Sequence, residues 1–239
     1  MVIKHINMTG PISSLFNILL DIIYPRYCLE CGKNLGSTKH FYLCAECISE
    51  ITFVNQSNTC PVCGIDLGPY TGGNILCRDC AINKPRFDKA LAVARYEGVM
   101  RNIILKLKYQ KDKPLAVPLS QLITKTIAGS KENIDLVMPT PLYRTKLKER
   151  GFNQSQLLAD GVANILKIKL SVDNLTKTRE TQDQAGLDGL ARRENLKNAF
   201  SVSRPDEIKG KNILLIDDVL TTGTTVSEIS RVLKKIRRE

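Results

Sequence analysis

Residues 213–225 read Ile213-Leu214-Leu215-Ile216-Asp217-Asp218-Val219-Leu220-Thr221-Thr222-Gly223-Thr224-Thr225. The first four form a continuous apolar run bounded by turn chemistry, the pattern of a strand buried on both faces of a parallel sheet. From about Thr225 the apolar positions change to helical spacing, with Val226, Ile229, Val232 and Leu233 on one stripe. The order is therefore strand, acidic pair, Thr/Gly turn, helix. Ligands of open parallel sheets bind at the carboxyl ends of strands. Amides at a helix N-terminus attract phosphate, and the helix dipole adds to this. Gly223 permits a close backbone approach, and the threonine hydroxyls add donors. Two carboxylates beside such a turn disfavour phosphate but accept hydrogen bonds from the vicinal hydroxyls of a ribose. A five-carbon sugar with a 5′-phosphate satisfies both halves. An ordinary buried strand followed by a Ser/Thr cap would account for the turn, but not for acids and turn together in this order.

A second unit of the same kind lies upstream. Asp135-Leu136-Val137-Met138 predicts a strand that runs into Pro139-Thr140-Pro141-Leu142-Tyr143 and then a loop dense in cations: Arg144, Lys146, Lys148 and Arg150. Gly151-Phe152-Asn153-Gln154-Ser155 follows, and a helix is expected from about Gln156, with Leu157, Leu158 and Val162. The loop suits an anion, either the phosphates of a small molecule or a nucleic-acid backbone.

The eight cysteines all lie between residues 28 and 80, as four Cys-x-x-Cys pairs: Cys28/Cys31, Cys44/Cys47, Cys60/Cys63 and Cys77/Cys80. A disulfide framework is the rival for an even count, but nothing supports secretion, and zinc takes four thiolates tetrahedrally. CLECGKNLGSTKHFYLCAEC matches CPVCGIDLGPYTGGNILCRDC, each reading Cys-x-x-Cys-Gly-x-x-Leu-Gly, a linker and Leu-Cys-x-x-Cys. A repeating unit should be a folding unit. One zinc is therefore assigned to Cys28, Cys31, Cys44 and Cys47 and a second to Cys60, Cys63, Cys77 and Cys80, with a cross-braced pairing as the alternative. Gly32 and Gly64 follow the second cysteine of a knuckle, where positive φ lets backbone amides face sulfur. Four thiolates leave no open position, so both sites are structural, and a region this poor in large apolar residues needs metal to fold.

The chain of 239 residues is 43% hydrophobic and carries a formal charge of +11. Residues 1–86 hold seven Lys/Arg against six Asp/Glu, and Arg101–Gly151 alone holds eleven against four. The base excess therefore lies outside the ribbons, where it suits a polyanion or a merely solvated basic face. No apolar run reaches the length of a membrane span. Ile12, Leu15, Phe16, Leu19, Ile22 and Ile23 predict an amphipathic helix stopped by Pro25, better suited to packing on a neighbouring domain than to membrane association or cleavage as a signal.

ILLIDDVLTTGTT resembles the signature by which type I phosphoribosyltransferases bind phosphoribosyl pyrophosphate (PRPP). PTPLYRTKLKE with RGFNQSQLLA, LKYQKD after a helix expected over 99–107, and TRETQDQAGLDGLARRENLKNAF (Thr178 to Phe200) together resemble the ComF family. That likeness covers about residues 11–236. It implies an α/β fold: a type I phosphoribosyltransferase-like parallel sheet flanked by helices, with a small double zinc ribbon in front. The expected organisation is an N-terminal helix over 1–27, the ribbons over 28–83 and the transferase-like domain over 84–239. The ribose hydroxyls would fall to Asp217 and Asp218, and the 5′-phosphate to Thr221, Thr222, Gly223, Thr224 and Thr225. The pyrophosphate would fall to the loop of Arg144, Lys146, Lys148 and Arg150, with Mg²⁺ held by the pyrophosphate and the ribose hydroxyls. Thr178–Phe200 corresponds to a hood over the site, with Arg179, Gln182, Gln184, Arg192, Arg193 and Asn195 as candidates to reach an anion or a base. Family members usually continue to one more strand after the last helix, so the sheet is expected to be a strand short.

Phosphoribosyl transfer asks the protein mainly to position and to screen charge. The sequence supplies parts for PRPP, no recognisable pocket for an acceptor base, and no unassigned cysteine for amide hydrolysis. Three readings follow. The ComF likeness implies a cytoplasmic, PRPP-responsive protein handling single-stranded DNA in natural competence, with a helicase or recombination loader as partner and no membrane insertion. The second reading is an active phosphoribosyltransferase with an unidentified acceptor. The third is a zinc-ribbon adaptor whose transferase domain is vestigial. The low aromatic content (5%, no Trp) argues against a dedicated stacking platform for bases.

Overall fold

The computed structural model describes residues 26–36, 42–68, 75–130, 132–181 and 194–238. The helix expected over 12–23 and the hood residues Gln182, Gln184, Arg192 and Arg193 lie outside them. The described strands are β1 (Leu136–Pro139), β2 (Lys169–Leu170), β3 (Leu175–Lys177), β4 (Phe200–Val202) and β5 (Ile213–Ile216). Strands β2, β1 and β5 form a parallel sheet in that order, and β3 pairs antiparallel with β4. The described helices are α1 (Ala45–Ser49), α2 (Arg78–Ile82), α3 (Gly98–Leu105), α4 (Ala116–Ala128), α5 (Arg144–Arg150), α6 (Gln154–Leu166) and α7 (Thr224–Arg238). None is long and apolar enough to cross a membrane.

The apolar runs behave as two-sided strands. Val137, Leu214 and Ile216 pack with Leu119 and Ile127 of α4 and Leu158 and Val162 of α6. Their neighbours Leu136, Met138, Ile213 and Leu215 pack on the opposite face, with Leu175, Phe200 and Ile229 of α7. Successive residues thus point to opposite faces, and helices or strands cover both. Because α6 follows β1 on one face and α7 follows β5 on the other, the winding reverses between these two strands. Pro139-Thr140 and Asp217-Asp218 flank the crevice at that switch point, where ligands of doubly wound sheets bind. Strand β5 hydrogen-bonds to β1 alone. No strand among the described residues pairs its other edge. A cleft of about 1670 Å³ runs along that edge, lined by residues 84–95, α7 and the turn after β5.

The structure differs from the sequence reading after β1. The stretch Arg144–Arg150, expected as a loop, is helix α5, closed by Gly151 at φ 80°, whose N–H donates to the Leu147 carbonyl at 2.8 Å. Its one apolar residue, Leu147, is 41% exposed, so no buried stripe marks it as a helix. The helix expected over 99–107 is α3, which runs into a π-turn, Lys106–Gln110, ending on Lys111 at φ 60°.

The two ribbons repeat the same geometry. Tyr27 bridges Asn34 as Thr59 bridges Asp66. The Gly32 N–H donates to the Cys28 carbonyl at 2.8 Å, and the Gly64 N–H to the Cys60 carbonyl at 2.9 Å. Cys44 caps α1 as Cys77 caps α2. Both glycines have positive φ, 75° and 70°, but their surroundings differ. A Cβ on Gly32 would meet nothing within 4 Å, whereas one on Gly64 would lie 2.6 Å from the Ala90 carbonyl oxygen. Asn tolerates this backbone. Gly32→Asn is therefore expected to keep its zinc and to cost about 1 kcal/mol. Gly64→Asn should cost several times more, because it drives residues 89–91 off the knuckle. Denaturant titration of both variants measures the difference.

Candidate functional site

The two cysteine groups are sequential: Cys28, Cys31, Cys44 and Cys47 in one, Cys60, Cys63, Cys77 and Cys80 in the other, with all sulfurs of a group within 4.8 Å of one another. This excludes the cross-braced pairing. Cys28–Cys47 and Cys31–Cys44 stand 3.7 and 3.6 Å apart, and Cys63–Cys77 3.6 Å, with every thiol free of disulfide. Tetrahedral zinc at its usual thiolate bond length sets sulfurs about 3.8 Å apart, so the residues fit the metal. Backbone N–H groups add to the fit: Cys44 N–H donates to Cys28 Sγ at 3.3 Å and Cys80 N–H to Cys77 Sγ at 3.4 Å. Burial raises the thiols of Cys28 and Cys60, but backbone N–H groups outweigh it and bring both down to about 6. Burial and neighbouring sulfurs push Cys47 and Cys80 well above the usual thiol range and Cys63 up to about 11. Four thiolates can share so small a volume only around a cation, and both tetrads fit closed, structural zinc sites.

The second site is the crevice at the switch point. The Asp217 Oδ1 accepts from Ser155 Oγ at 3.2 Å and from the Asp218 N–H at 3.0 Å. Asp218 accepts from Gln154 Nε2 at 2.9 Å on Oδ1 and forms an ion pair with Lys108 through Oδ2. Burial, and after it the Asp218 charge, push the Asp217 carboxyl up to about 7. Gly223 adopts φ 68°, and Thr222 Oγ1 and Thr224 Oγ1 lie 2.8 Å apart at the start of α7. The Phe87 ring lies 3.3 Å from where a Gly223 Cβ would sit, and Arg86 N–H donates to Ser227 Oγ at 3.0 Å. The segment leaving the second ribbon therefore braces the Thr/Gly turn.

Thr140, at the end of β1, is 7% exposed. Its N–H donates to the Ile216 carbonyl at 2.9 Å, and its own carbonyl accepts from Asn153 Nδ2 at 2.9 Å. Its hydroxyl has no hydrogen-bond partner among the described residues. An orphan hydroxyl buried at the switch point is what a ligand oxygen would satisfy.

The four bases of the α5 stretch do not converge. Lys146 and Arg150 stand one turn apart on one side of the helix, Arg144 and Lys148 on another. Arg150 hydrogen-bonds Gln154 and lies 5.4 Å from the Tyr109 ring, while Arg144 stands over Tyr143. Arg150 is thus linked to the acidic pair through Gln154. Arg179, a hood candidate, donates instead to the carbonyls of Glu194, Asn195 and Lys197 at 3.4, 2.9 and 2.8 Å. Sequence reasoning missed Lys108, Thr140 and Phe87 as parts of the site. Gln154 and Ser155 stood in the stretch that reasoning singled out, with no role attached.

Comparison with known proteins agrees with both halves. Residues 19–81 match the double zinc ribbon domain and residues 153–239 the phosphoribosyl transferase domain. DNA utilization protein YhgH of Escherichia coli strain K12 is 31% identical over 214 residues, 87% of this chain and 91% of that protein. Competence protein F of Haemophilus influenzae is 32% identical over 216 residues, with the same coverage. Competence protein ComFC of Bacillus subtilis is 25% identical over 201 residues, 80% of this chain and 77% of its own length. An acidic pair and Thr/Gly turn at the switch point of a parallel sheet, two cysteine tetrads ahead of it, and relatives aligned along most of their length have one reading: the chain belongs to the ComF family.

Proposed function

We propose that the protein binds PRPP with Mg²⁺ and works in the cytoplasm on DNA entering by natural competence, where it handles single-stranded DNA. The observation that carries the reading is the Asp217–Asp218 pair at the carboxyl end of β5, directly before the Thr/Gly turn and the N-terminus of α7. The carboxylates would take the ribose hydroxyls. Thr221, Thr222, Thr224 and Thr225, with the Gly223 backbone, would take the 5′-phosphate. Arg150, linked to the acidic pair through Gln154, would face the pyrophosphate, and the other bases of α5 would meet a DNA backbone. The role in DNA uptake draws support from relatives named for competence and DNA utilization, and from the excess of bases outside the ribbons.

Calorimetric titration of the zinc-loaded protein with PRPP and Mg²⁺, without and then with single-stranded DNA, tests it. Saturable binding that shifts DNA affinity is expected. Binding with no DNA effect would favour a transferase acting on an acceptor base, and no binding would leave an adaptor with a vestigial domain. Replacing Lys146, Lys148 and Arg150 by Gln is expected to weaken single-stranded DNA binding. Its salt dependence should flatten by about 0.7 in slope for each phosphate that the variant no longer neutralises. A fall in PRPP affinity alone would assign these residues to pyrophosphate.

A further inference from the structure

Lys106 opens the π-turn and points away from the acidic pair, into the first ribbon. Its ammonium donates to the Leu29 carbonyl at 2.9 Å and the Glu30 carbonyl at 2.7 Å, and pairs with Glu30 Oε2 at 2.8 Å. Both hydrogen bonds and the ion pair of this ammonium go to the two residues between Cys28 and Cys31. Asn102, one turn earlier in α3, donates to Glu30 Oε1 at 2.9 Å. The Lys106 and Glu30 side chains are 22% and 12% exposed, so this is not a solvated surface pair of little consequence. Two residues on, Lys108 forms its ion pair with Asp218, at 16% and 5% exposure. A π-turn is rare and is frequently found at functional sites. Here it turns one lysine into the knuckle and the next but one toward the carboxylates.

We propose that Lys106 is a positioning residue for the ribose-phosphate site: it fastens the π-turn to the first zinc-ribbon knuckle, and the knuckle thereby sets where the Lys108 ammonium meets Asp218. The inference rests on reading Asp217 and Asp218 as the ribose ligands. Among the described residues, Lys108 supplies the one cation paired with them. Held in place, it offsets part of the repulsion between the adjacent carboxylates and fixes Asp218 where a ribose hydroxyl would meet it. Displaced, it leaves two like charges side by side. The second ribbon reaches the other half of the site in the same manner. Its knuckle carbonyl at Val62 accepts from the Ala90 N–H at 2.7 Å, and three residues earlier Phe87 packs on Gly223. Each knuckle is thus tied to one half of the site through a short intervening segment.

The test uses the full zinc-loaded chain as wild type, Lys106→Met, Lys108→Met and the double variant. Zinc content, PRPP titration with Mg²⁺, and hydrogen exchange over residues 106–111 without ligand are the readouts. Lys106→Met is expected to keep two zincs, to speed exchange in the turn and to weaken PRPP binding about tenfold, while the double variant binds no more weakly than Lys108→Met alone. A lysine that merely glued ribbon to domain would give losses that add in full, and that result, or wild-type affinity in Lys106→Met, overturns the proposal. If Lys106→Met sheds zinc, Asn102→Ala goes through the same cycle with Lys108→Met, with the same two outcomes deciding. A wild-type protein that ignores PRPP removes the underlying reading. Unchanged exchange over 106–111 in the Lys106 variant removes this one.

Discussion

Asp217→Asn with Asp218→Asn is expected to abolish PRPP binding, by a hundredfold or more, while both zincs stay bound. Each carboxylate accepting a ribose hydroxyl is a charge-assisted acceptor worth about 1.5–3 kcal/mol, and the pair carries both. The tetrads share no residue with the crevice, so zinc content is an internal control for folding. Unchanged affinity would remove the central claim. The single variant Asp217→Asn adds a second, opposite expectation. Burial and then Asp218 raise the Asp217 carboxyl to about 7 in the folded protein, against about 4 in the unfolded chain. The folded state therefore holds a proton the unfolded chain has released, and stability falls as pH rises from about 4 through 7. Asn carries no such charge. At pH 8 the variant should melt higher than wild type, and the advantage should shrink toward pH 5. Loss of ligand together with gain of stability would mark Asp217 as retained for binding rather than for the fold.

Chelation of zinc is expected to have the largest effect on stability. Structural zinc contributes roughly 10–16 kcal/mol of apparent binding energy to sites of this kind, and each ribbon has few large apolar side chains to fall back on. The first ribbon is also not a separate body. Cys28, Leu43, Cys44, Cys47 and Ile51 belong to the same apolar cluster as Val99, Ile103, Leu107, Leu119 and Ile216. Stripping the metal should therefore expose residues 26–95 to protease and lower the melting temperature of the transferase-like domain as well. Two equivalents of zinc per chain, released together with that shift, is the expected result. One equivalent, or a melting temperature indifferent to chelator, would contradict the assignment.

What could be read from the chain alone followed from local pattern. Ile213–Ile216 announced a two-sided strand because four apolar residues in a row leave no solvent face, and the cysteine repeat announced two metal units because spacing alone encodes a knuckle. Helix α5 was hidden because Arg144–Arg150 offers one apolar side chain and no stripe. Strands β2 and β3 have two and three residues, too few for a period of two to declare itself. Lys108 and Phe87 meet Asp218 and Gly223 across more than a hundred residues, a proximity no window along the sequence contains. Thr140 gave no signal because a hydroxyl is marked as unusual only by the absence of a partner around it.

The contacts of Arg86 and Phe87 with the phosphate turn also set an order of assembly. Arg86 and Ser227 are 141 residues apart. Synthesis delivers the N-terminus first, so all eight cysteines are available to metal once Cys80 has emerged, before the downstream residues that the ribbons pack against. The turn at Gly223 can find its brace only when nearly the whole chain is out, and contacts of such separation form slowly. The Gly223 turn is thus among the last features completed, and it is built against a segment that follows directly on the second cysteine tetrad. A cell short of zinc would make chains whose α7 still reaches the sheet but whose Gly223 turn lacks a fixed brace at Arg86 and Phe87.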